Sequence, residues 1–445
     1  MTTHRTAQPA PDSARPAPGS PPDHGSARVP TLPSTRTSLG PATPRPRPAQ
    51  ATALGAVWAA TRIAMLLLLI VDRLGDSGVA GEVHTLYRSW YEQLSQGAFP
   101  LDDVTWQYPP GAALVFLSPG TLPWLTYFQA FVALTLLADA VVTLALARAG
   151  VQGAWMWVCG LPLLLHLPFA RYDVLVTAIA VVALLAMRGR PRLGGALAGL
   201  GAMIKVWPLL TVLGTPRGRT TRAAWLSAAA SAAALFAALT LGFTHTLDFL
   251  RQQGARGVQI ESLGGTALQL ARKAGWAGKV SYQYGAFEFT GPYVSSVARL
   301  SLLLTAVALG WLLLWRVRAR HWTTATPFDA SLAAVLIFTV TSRVISPQYM
   351  VWLLGLAAVC LTSRHTTQRP VALLLLPAAA LSTLAYPLLY QDVLDGTPLG
   401  VLLMVVRNGL LVTAAALSCR RLWTATATRP SVAGRAPVLT SPSGD

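Results

Sequence analysis

The sequence predicts an all-α polytopic membrane protein, a bundle of about 12 transmembrane helices that includes short or re-entrant ones. Hydrophobic residues make up 53% of the chain and charged residues only 12%, far less charge than a soluble protein carries. Apolar runs of roughly twenty residues, long enough to cross a hydrocarbon core as helices, recur along the chain. Two long polar segments, 72–122 and 244–295, separate groups of these runs, and we expect both on the external side.

The predicted spans follow the apolar runs in chain order. They are residues 53–71, 123–147, 154–168, 171–187, 193–205, 207–215, 223–243, 296–315, 327–341, 348–362, 371–389 and 398–417.

The stretch 193–216 lies between two arginine clusters that belong on the same side of the membrane. It is too short for two full crossings at the rise of an α-helix. We therefore expect a hairpin of two short helices, with Lys205 near its turn and pointing into a polar cavity. The alternative is one tilted span whose Lys205 side chain reaches to the membrane surface.

The net charge of +18 is reminiscent of nucleic-acid-binding proteins, but the placement of the arginines argues against a nucleic-acid partner. They form short clusters between apolar runs, as the signals that orient membrane proteins do. The clusters are Arg148, Arg188/Arg190/Arg192, Arg217/Arg219/Arg222, Arg316/Arg318/Arg320, Arg364/Arg369 and Arg420/Arg421. By the positive-inside rule their side is the cytoplasm, which then also holds both termini, and most of the 17 acidic residues fall on the other side.

Two tails flank the transmembrane domain, which we place at 51–422. Residues 1–50 hold 12 of the 32 prolines and no apolar run, so they cannot bury enough surface to offset the entropy of ordering. We expect this tail, and a second one at 423–445, to be disordered and cytoplasmic. The three cysteines show no CxxC spacing, so we expect neither a disulfide framework nor a metal site.

Carboxylates collect in the first external segment. Residues 82–96 carry apolar and aromatic side chains at helical spacing, which predicts a helix lying in the membrane interface. Glu82 begins this helix, either as an acid that favours the helix dipole or as a catalytic carboxylate. Asp102, Asp103 and Tyr108 follow in "LDDVTWQYPPG", where the acids either serve a turn or line a cavity.

Isolated cations mark three outer helix ends. "FARYDVLVTA" places Arg171 and Asp173 at one end, and "TSRVISPQYMVW" places Arg343, Gln348 and Tyr349 at another. Lys205 marks the third. A charge at this depth is costly, so a partner or a wet cavity is expected, and a local Arg171–Asp173 pair is the structural alternative.

These residue types suit transfer of a sugar whose leaving group is a lipid phosphate. A carboxylate can take the proton from the acceptor hydroxyl, while Arg171, Lys205 and Arg343 stabilise the departing phosphate. One base on the face opposite the leaving group gives inversion of configuration. A phosphate leaving group requires neither an acid partner nor a metal.

The sequence resembles glycosyltransferase family 87. The resemblance lies in the acid five residues before Tyr87 and in the motifs "SQGAFPLDDVTWQYPPG", "ARYDVLVTA", "LAGLGAMIKVWPLL" and "SRVISPQYMVWLL". Their order and spacing together extend the resemblance over residues from about 52 to 420. Each motif alone is weak.

The resemblance implies a GT-C fold and an inverting enzyme that moves a hexose, mannose, from a polyprenyl-phosphate donor to a lipid or glycan acceptor outside the membrane. It implies no cofactor, no metal and a monomer among membrane lipids. The family's catalytic acid, usually aspartate, falls on Glu82, with Asp103 in reserve. The remaining expected substrate-binding residues are Asp102, Tyr108, Arg171, Asp173, Lys205, Arg343, Gln348 and Tyr349.

Two other functions remain open at this point. A transporter with twelve spans would show two related halves with broken helices in matching positions, and no such repeat is found. A non-catalytic assembly subunit could keep the scaffold and lose the acid, and the glutamate at position 82 leaves this possibility standing.

Overall fold

The computed structural model describes residues 48–75, 78–101, 103–250 and 256–428, in which helices account for most of the regular structure. The α-helices are α1 (Pro48–Val71), α2 (Arg88–Leu94), α3 (Ala112–Leu117), α4 (Tyr127–Ala149), α5 (Val151–Gly160), α6 (Asp173–Ala186), α7 (Pro191–Ile204), α8 (Arg219–Gly242), α9 (Leu263–Lys273), α10 (Val294–Arg318), α11 (Thr326–Thr341), α12 (Tyr349–Leu361), α13 (Arg369–Thr383), α14 (Tyr390–Asp395) and α15 (Pro398–Thr426). Tighter or wider turns of helix adjoin them at Glu82–Tyr87, Ser118–Thr121, Leu161–Leu164, Leu167–Ala170, Trp207–Val212 and Leu384–Leu388.

The protein is a multi-pass membrane protein in which every predicted span contains a helix. Six helices of the described residues are long and apolar enough to cross a membrane: Pro48–Val71, Tyr127–Ala149, Arg219–Gly242, Val294–Arg318, Arg369–Leu388 and Pro398–Thr426. The other apolar helices are shorter, so the prediction of about 12 helices, which included short or re-entrant ones, is confirmed in part. Short helices are tolerated here because protein covers them, and α6 and α12 are buried on nearly every side.

The hairpin predicted around Lys205 is confirmed in its local structure. Helix α7 ends at Ile204, Lys205 has an extended backbone, and a 3₁₀ turn covers Trp207–Val212. Helix α7 lies against α8 through two glycines. A Cβ on Gly195 would lie 2.1 Å from the Ala224 carbonyl oxygen, and one on Gly199 2.2 Å from that of Ala228. Only glycine permits this close helix contact.

The two long polar segments, 72–122 and 244–295, meet at several points, and we name them the external segments after the side on which the sequence predicts them. The Phe99 amide donates to the Thr244 carbonyl at 3.2 Å, and the Thr244 amide donates to the Gly97 carbonyl at 3.1 Å. The second segment also holds an antiparallel sheet of β1 (Val258–Gln259), β2 (Lys279–Gln283) and β3 (Ala286–Thr290), with β3 central. The all-α prediction missed this sheet because its strands are only two to five residues long.

The helix predicted at 82–96 forms, but its aromatic face packs on protein rather than in the membrane interface. The turn Glu82–Tyr87 continues directly into α2, and Tyr87 and Trp90 are fully buried. Their rings contact Phe116 of α3 at centroid distances of 4.8 and 5.0 Å. Burial of large aromatic rings fixes the start of this helix firmly in the bundle.

The ordered helices extend into both predicted tails. Helix α1 begins at Pro48, inside the expected 1–50 tail, and α15 runs to Thr426, inside the expected 423–445 tail. Tertiary contacts hold the latter end, because Trp315 Nε1 donates to Thr426 Oγ1 at 2.9 Å and the Arg320 amide donates to the Thr426 carbonyl at 2.8 Å. The rest of both predicted tails lies outside the described residues.

Candidate active site

Glu82 and Arg171 form an ion pair at the surface of the bundle. Arg171 Nη2 lies 2.7 Å from Glu82 Oε1, and the Glu82 side chain is 38% exposed whereas that of Arg171 is 3% exposed. Arg171 Nη1 also donates to the carbonyls of Val79 and Ala170 at 2.9 and 2.8 Å. The carboxylate therefore satisfies a buried cation on one side and faces solvent on the other.

A second carboxylate holds the chain in front of Glu82. Asp72 accepts from the amides of Val79 and Ala80 at 2.9 and 3.0 Å, and His166 Nε2 lies 2.9 Å from Asp72 Oδ1. Burial would raise the pKa of Asp72, but the two amides and His166 outweigh it and lower the pKa. Asp72 thus stays ionised and fixes the Val79 carbonyl that receives Arg171.

Lys205 lies in a cage of aromatic rings over a buried acid. Its Nζ is 2.6 Å from Asp173 Oδ1, which also accepts from Trp352 Nε1 at 2.5 Å. The ammonium lies 4.4 Å from the ring centre of Tyr172, 4.8 Å from that of Trp352 and 5.7 Å from that of Tyr349. Asp173 is fully buried and Lys205 is 14% exposed, so the cage closes over all but the edge of the ammonium.

Arg171 and Lys205, which were expected to be isolated, are therefore paired, and each pairs with an acid from a distant part of the chain. Arg171 contacts Glu82 instead of its neighbour Asp173, and Asp173 contacts Lys205 from the hairpin. The local Arg171–Asp173 alternative is wrong. Low-dielectric surroundings require a partner for each buried charge, and the packing of α6 against the hairpin and the first external segment decides which.

Asp103 stabilises a loop. Its Oδ2 accepts from Trp90 Nε1 at 2.8 Å, and its Oδ1 accepts from the Thr105 amide and hydroxyl at 2.8 and 2.5 Å. Both oxygens are thus engaged in holding the turn onto α2, which makes Asp103 a weaker candidate base than Glu82. Asp102 lies outside the described residues.

Tyr108 lies between the two ion pairs. Its ring makes edge contacts with Tyr172 at 5.3 Å and with Trp90 at 5.6 Å. Burial raises the pKa of Tyr108, and the charges of Glu82 and Asp173 raise it further. The phenol consequently remains neutral and presents a hydrogen-bonding hydroxyl at neutral pH.

A second basic cluster joins the two external segments. Arg256 Nη1 donates to Gln107 Oε1 at 2.9 Å, and Arg256 Nε donates to Glu288 Oε1 at 2.8 Å. Arg343 Nη1 donates to the Arg256 carbonyl at 2.7 Å. The cluster thus brings two guanidinium groups, Arg256 and Arg343, together with the Glu288 carboxylate.

Gln348 and Tyr349 lie where α12 begins. Gln348 precedes the first residue of the helix and is half-buried, and the Tyr349 ring stacks on Trp352 at 3.9 Å. Tyr349 thereby joins the cage around Lys205, while Gln348 makes no side-chain contact with Glu82 or Arg171 in the described residues.

Several residues of this site were missed from the sequence. They are Gln107, Arg256, Glu288, Tyr172, Trp352 and Tyr386. Tyr172 stands between the two singled-out residues of "ARYD", and Trp352 ends the quoted "SRVISPQYMVW" motif. Arg256 and Glu288 carried no local signal, because they reach the site only through the folding of the second external segment.

The chain is similar to a known family in sequence and to solved structures in fold. A family model described as glycosyltransferase family 87 matches residues 106–347, which is more than half of the chain. The fold is similar to that of ArnT from Cupriavidus metallidurans bound to undecaprenyl phosphate, with 14% sequence identity, a TM-score of 0.41 and coverage of 84% of this chain and 77% of that one. The apo structure of the same protein gives 13% identity, a TM-score of 0.40 and coverage of 84% and 78%. No protein of curated function matches the sequence significantly.

Proposed function

The chain belongs to glycosyltransferase family 87, and on that premise we propose that it transfers a hexose, mannose, from a polyprenyl-phosphate donor to a lipid or glycan acceptor. That it is a membrane glycosyltransferase follows from the family and from its six candidate spans. The donor class, the sugar and the external location of the reaction are parts of the proposal. The observation that carries it is the partly exposed Glu82 carboxylate held by buried Arg171.

Glu82 is the general base of the proposed reaction. As the acceptor oxygen bonds to C1 of the sugar, the C1–O bond to the phosphate breaks and its electron pair leaves with the phosphate. Glu82 takes the proton from the acceptor hydroxyl in the same step. One displacement inverts the configuration at C1. The ion pair with Arg171 holds Oε1, and Oε2 accepts a long hydrogen bond of 3.5 Å from the Tyr87 hydroxyl, while the side chain as a whole is 38% exposed.

Cations stabilise the negative charge that develops on the donor phosphate. Arg343 and Arg256 supply two guanidinium groups, and a planar guanidinium can bind two phosphate oxygens at once. Lys205 can share its partly exposed ammonium between Asp173 and the phosphate. Arg256 donates to Gln107, the neighbour of Tyr108 in the chain, which links these guanidinium groups to the first external segment that also carries Glu82.

The proposed orientation puts this site outside the cell and both termini in the cytoplasm. Arginine clusters gather at the opposite helix ends, where Arg316 donates to Thr221 Oγ1 at 2.7 Å and the Arg188 guanidinium lies 4.4 Å from the Phe328 ring centre. Clusters from several helices on one side of the bundle agree with the positive-inside rule.

Sugar transfer by the purified full chain tests the proposal. The chain in nanodiscs is incubated with radiolabelled polyprenyl-phosphate mannose and an envelope glycolipid extract, and Glu82→Gln should transfer at least about 10²-fold more slowly. Transfer from a nucleotide sugar alone would overturn the donor class. If the folded protein used no polyprenyl-phosphate hexose, an assembly role would replace the catalytic one.

A further inference from the structure

An aromatic wall leads from the Glu82–Arg171 pair to an exposed tyrosine on the external sheet. Tyr386 Oη lies 3.4 Å from Arg171 Nη2, and the Tyr386 ring contacts Tyr390 at 4.8 Å. Tyr390 contacts Phe287 of β3 at 5.8 Å, and Phe287 contacts Tyr282 of β2 at 5.2 Å. Each contact is edge to face, so the rings form one continuous surface.

Tyr282 is the exposed end of this wall. It pairs with Phe287 across the β2–β3 hairpin and is 62% exposed, whereas Tyr390 is 7% exposed. Its hydroxyl makes no hydrogen bond with any other described residue. A large aromatic ring therefore faces solvent at the end of a row of rings that begins beside the Glu82–Arg171 pair.

The hairpin that carries Tyr282 is anchored to the first external segment. Tyr284 and Gly285 form its turn with φ angles of 52° and 74°. Gln107 Nε2 donates to the Tyr284 carbonyl at 3.2 Å, and a Cβ on Gly285 would lie 3.9 Å from Thr105. The tip of the hairpin thus packs on the loop that precedes Tyr108.

The electrostatics of Tyr282 agree with this position. Partial burial raises its pKa, the charge of Glu82 raises it further, and that of Arg171 opposes the rise. Tyr282 therefore lies within electrostatic reach of both members of the pair.

We propose that Tyr282 and the wall behind it bind a sugar ring of the acceptor, so that the acceptor is a glycan or glycolipid with at least one sugar next to the reacting hydroxyl. This inference rests on the proposed function. An aromatic face covers the apolar face of a pyranose while a tyrosine hydroxyl bonds to its polar rim, and a rigid ring loses little entropy on binding. The wall starts at Tyr386, which contacts Arg171 beside the Glu82 carboxylate that would take the proton of the acceptor hydroxyl, and it ends in solvent, where the remainder of an acceptor extends.

Kinetics with a glycosylated acceptor test the inference. Tyr282→Ala should raise the acceptor KM about threefold to tenfold, with the donor KM unchanged, because an aromatic contact is worth roughly that much. Tyr282→Phe should retain most of the affinity and Tyr282→Trp all of it. Tyr293→Ala is the matched control, because Tyr293 is a 75% exposed tyrosine of the same segment that contacts none of the rings in the wall.

Direct binding separates this inference from the proposed function. Saturation-transfer NMR with mannobiose on the full chain in nanodiscs should show ring protons of the sugar contacting protein in the wild type, and the signal should fall in Tyr282→Ala but persist in Tyr293→Ala. Binding that is unchanged in Tyr282→Ala, or a change in donor KM instead of acceptor KM, would overturn the inference even if transfer is observed. If the wild type bound mannobiose but showed no transferase activity, and Tyr282→Ala lost that binding, the sugar subsite would be supported. The same result would contradict only the proposed reaction.

Discussion

Arg171 Nη2 lies 2.7 Å from Glu82 Oε1, although 89 positions separate the two residues in the chain. The guanidinium is buried, whereas the carboxylate is partly exposed and accessible to a substrate. In the proposed mechanism, removing the acid from Glu82 therefore has two consequences, loss of a base and loss of the counterion of a buried cation. Substitutions must distinguish them.

Glu82→Asp and Glu82→Gln separate these effects. Glu82→Gln should lower turnover at least about 10²-fold with donor KM nearly unchanged, since an amide cannot accept the proton. Glu82→Asp should stay active, because it restores the acid that the family usually has there. Transfer rates and melting temperatures of both variants in nanodiscs check this prediction, and similar melting temperatures would assign the loss to chemistry.

Asp103→Asn is the control for the base. We expect it to lower the melting temperature, because the Asp103 carboxylate holds Trp90 and Thr105, and to reduce turnover less than Glu82→Gln does. Full activity in Glu82→Gln together with an inactive, folded Asp103→Asn would transfer the role of base to Asp103.

Lys205→Met should weaken donor use and also destabilise the fold. The substitution leaves Asp173 buried with Trp352 as its one side-chain hydrogen-bond donor among the described residues, and an unpaired buried charge is strongly unfavourable. The double variant Lys205→Met/Asp173→Asn should recover thermal stability while the donor KM stays high. If the double variant recovered both its thermal stability and the wild-type donor KM, Lys205 would serve only as the structural counterion of Asp173.

Arg343→Ala should raise the donor KM with the protein still inserted and folded. Arg343→Lys should restore it only in part, because an ammonium cannot reproduce the planar two-point contact of a guanidinium with phosphate. Donor titrations at saturating acceptor measure both. A wild-type donor KM in Arg343→Ala would exclude Arg343 from phosphate binding.

Glu261 makes stability depend on pH. Its side chain is 2% exposed, and its only hydrogen bond from the described residues comes from Gln259 Nε2 at 3.0 Å. Burial raises the pKa of Glu261 from 4.5 to about 7, and Arg407 opposes the rise. The folded protein thus keeps a proton that the unfolded chain releases, so stability should fall as pH rises between these two values and level off above.

Glu261→Gln should remove this dependence. Unfolding midpoints measured across that pH range should decline in the wild type and stay nearly flat in the variant. Equal slopes for the two proteins would show that Glu261 does not titrate there.

Cysteine labelling tests the orientation. In a chain freed of its three cysteines, Ser95→Cys and Gln283→Cys should react with an impermeant maleimide in intact cells, because both positions are exposed in the external segments. Gly189→Cys should react only after lysis, since it lies among the arginines between α6 and α7 and nothing crowds its Cβ. Protection of both external positions would reverse the arrangement.

Local chemistry was enough to place the helices and one feature of the site. Apolar runs become helices wherever a membrane or a protein core surrounds them, so their positions follow from residues close in the chain. The break between α7 and Trp207 could be foreseen because a cation, a tryptophan and a proline interrupt a run already too short for two crossings. Glu82 could be placed at a helix start because apolar and aromatic residues at helical spacing follow it directly in the chain.

The partners of the charged residues were decided by the tertiary structure alone. Lys205 joins Asp173 across 32 positions, and Arg256 joins Gln107 across 149. No local sequence pattern predicts such pairings. Every cation in a low-dielectric interior needs an acceptor, and the sequence offers several acidic or polar residues that could serve each one. The packing of the hairpin, the first external segment and the small sheet brings one candidate within bonding distance of each cation, and that geometry gathers charges that are far apart in the chain.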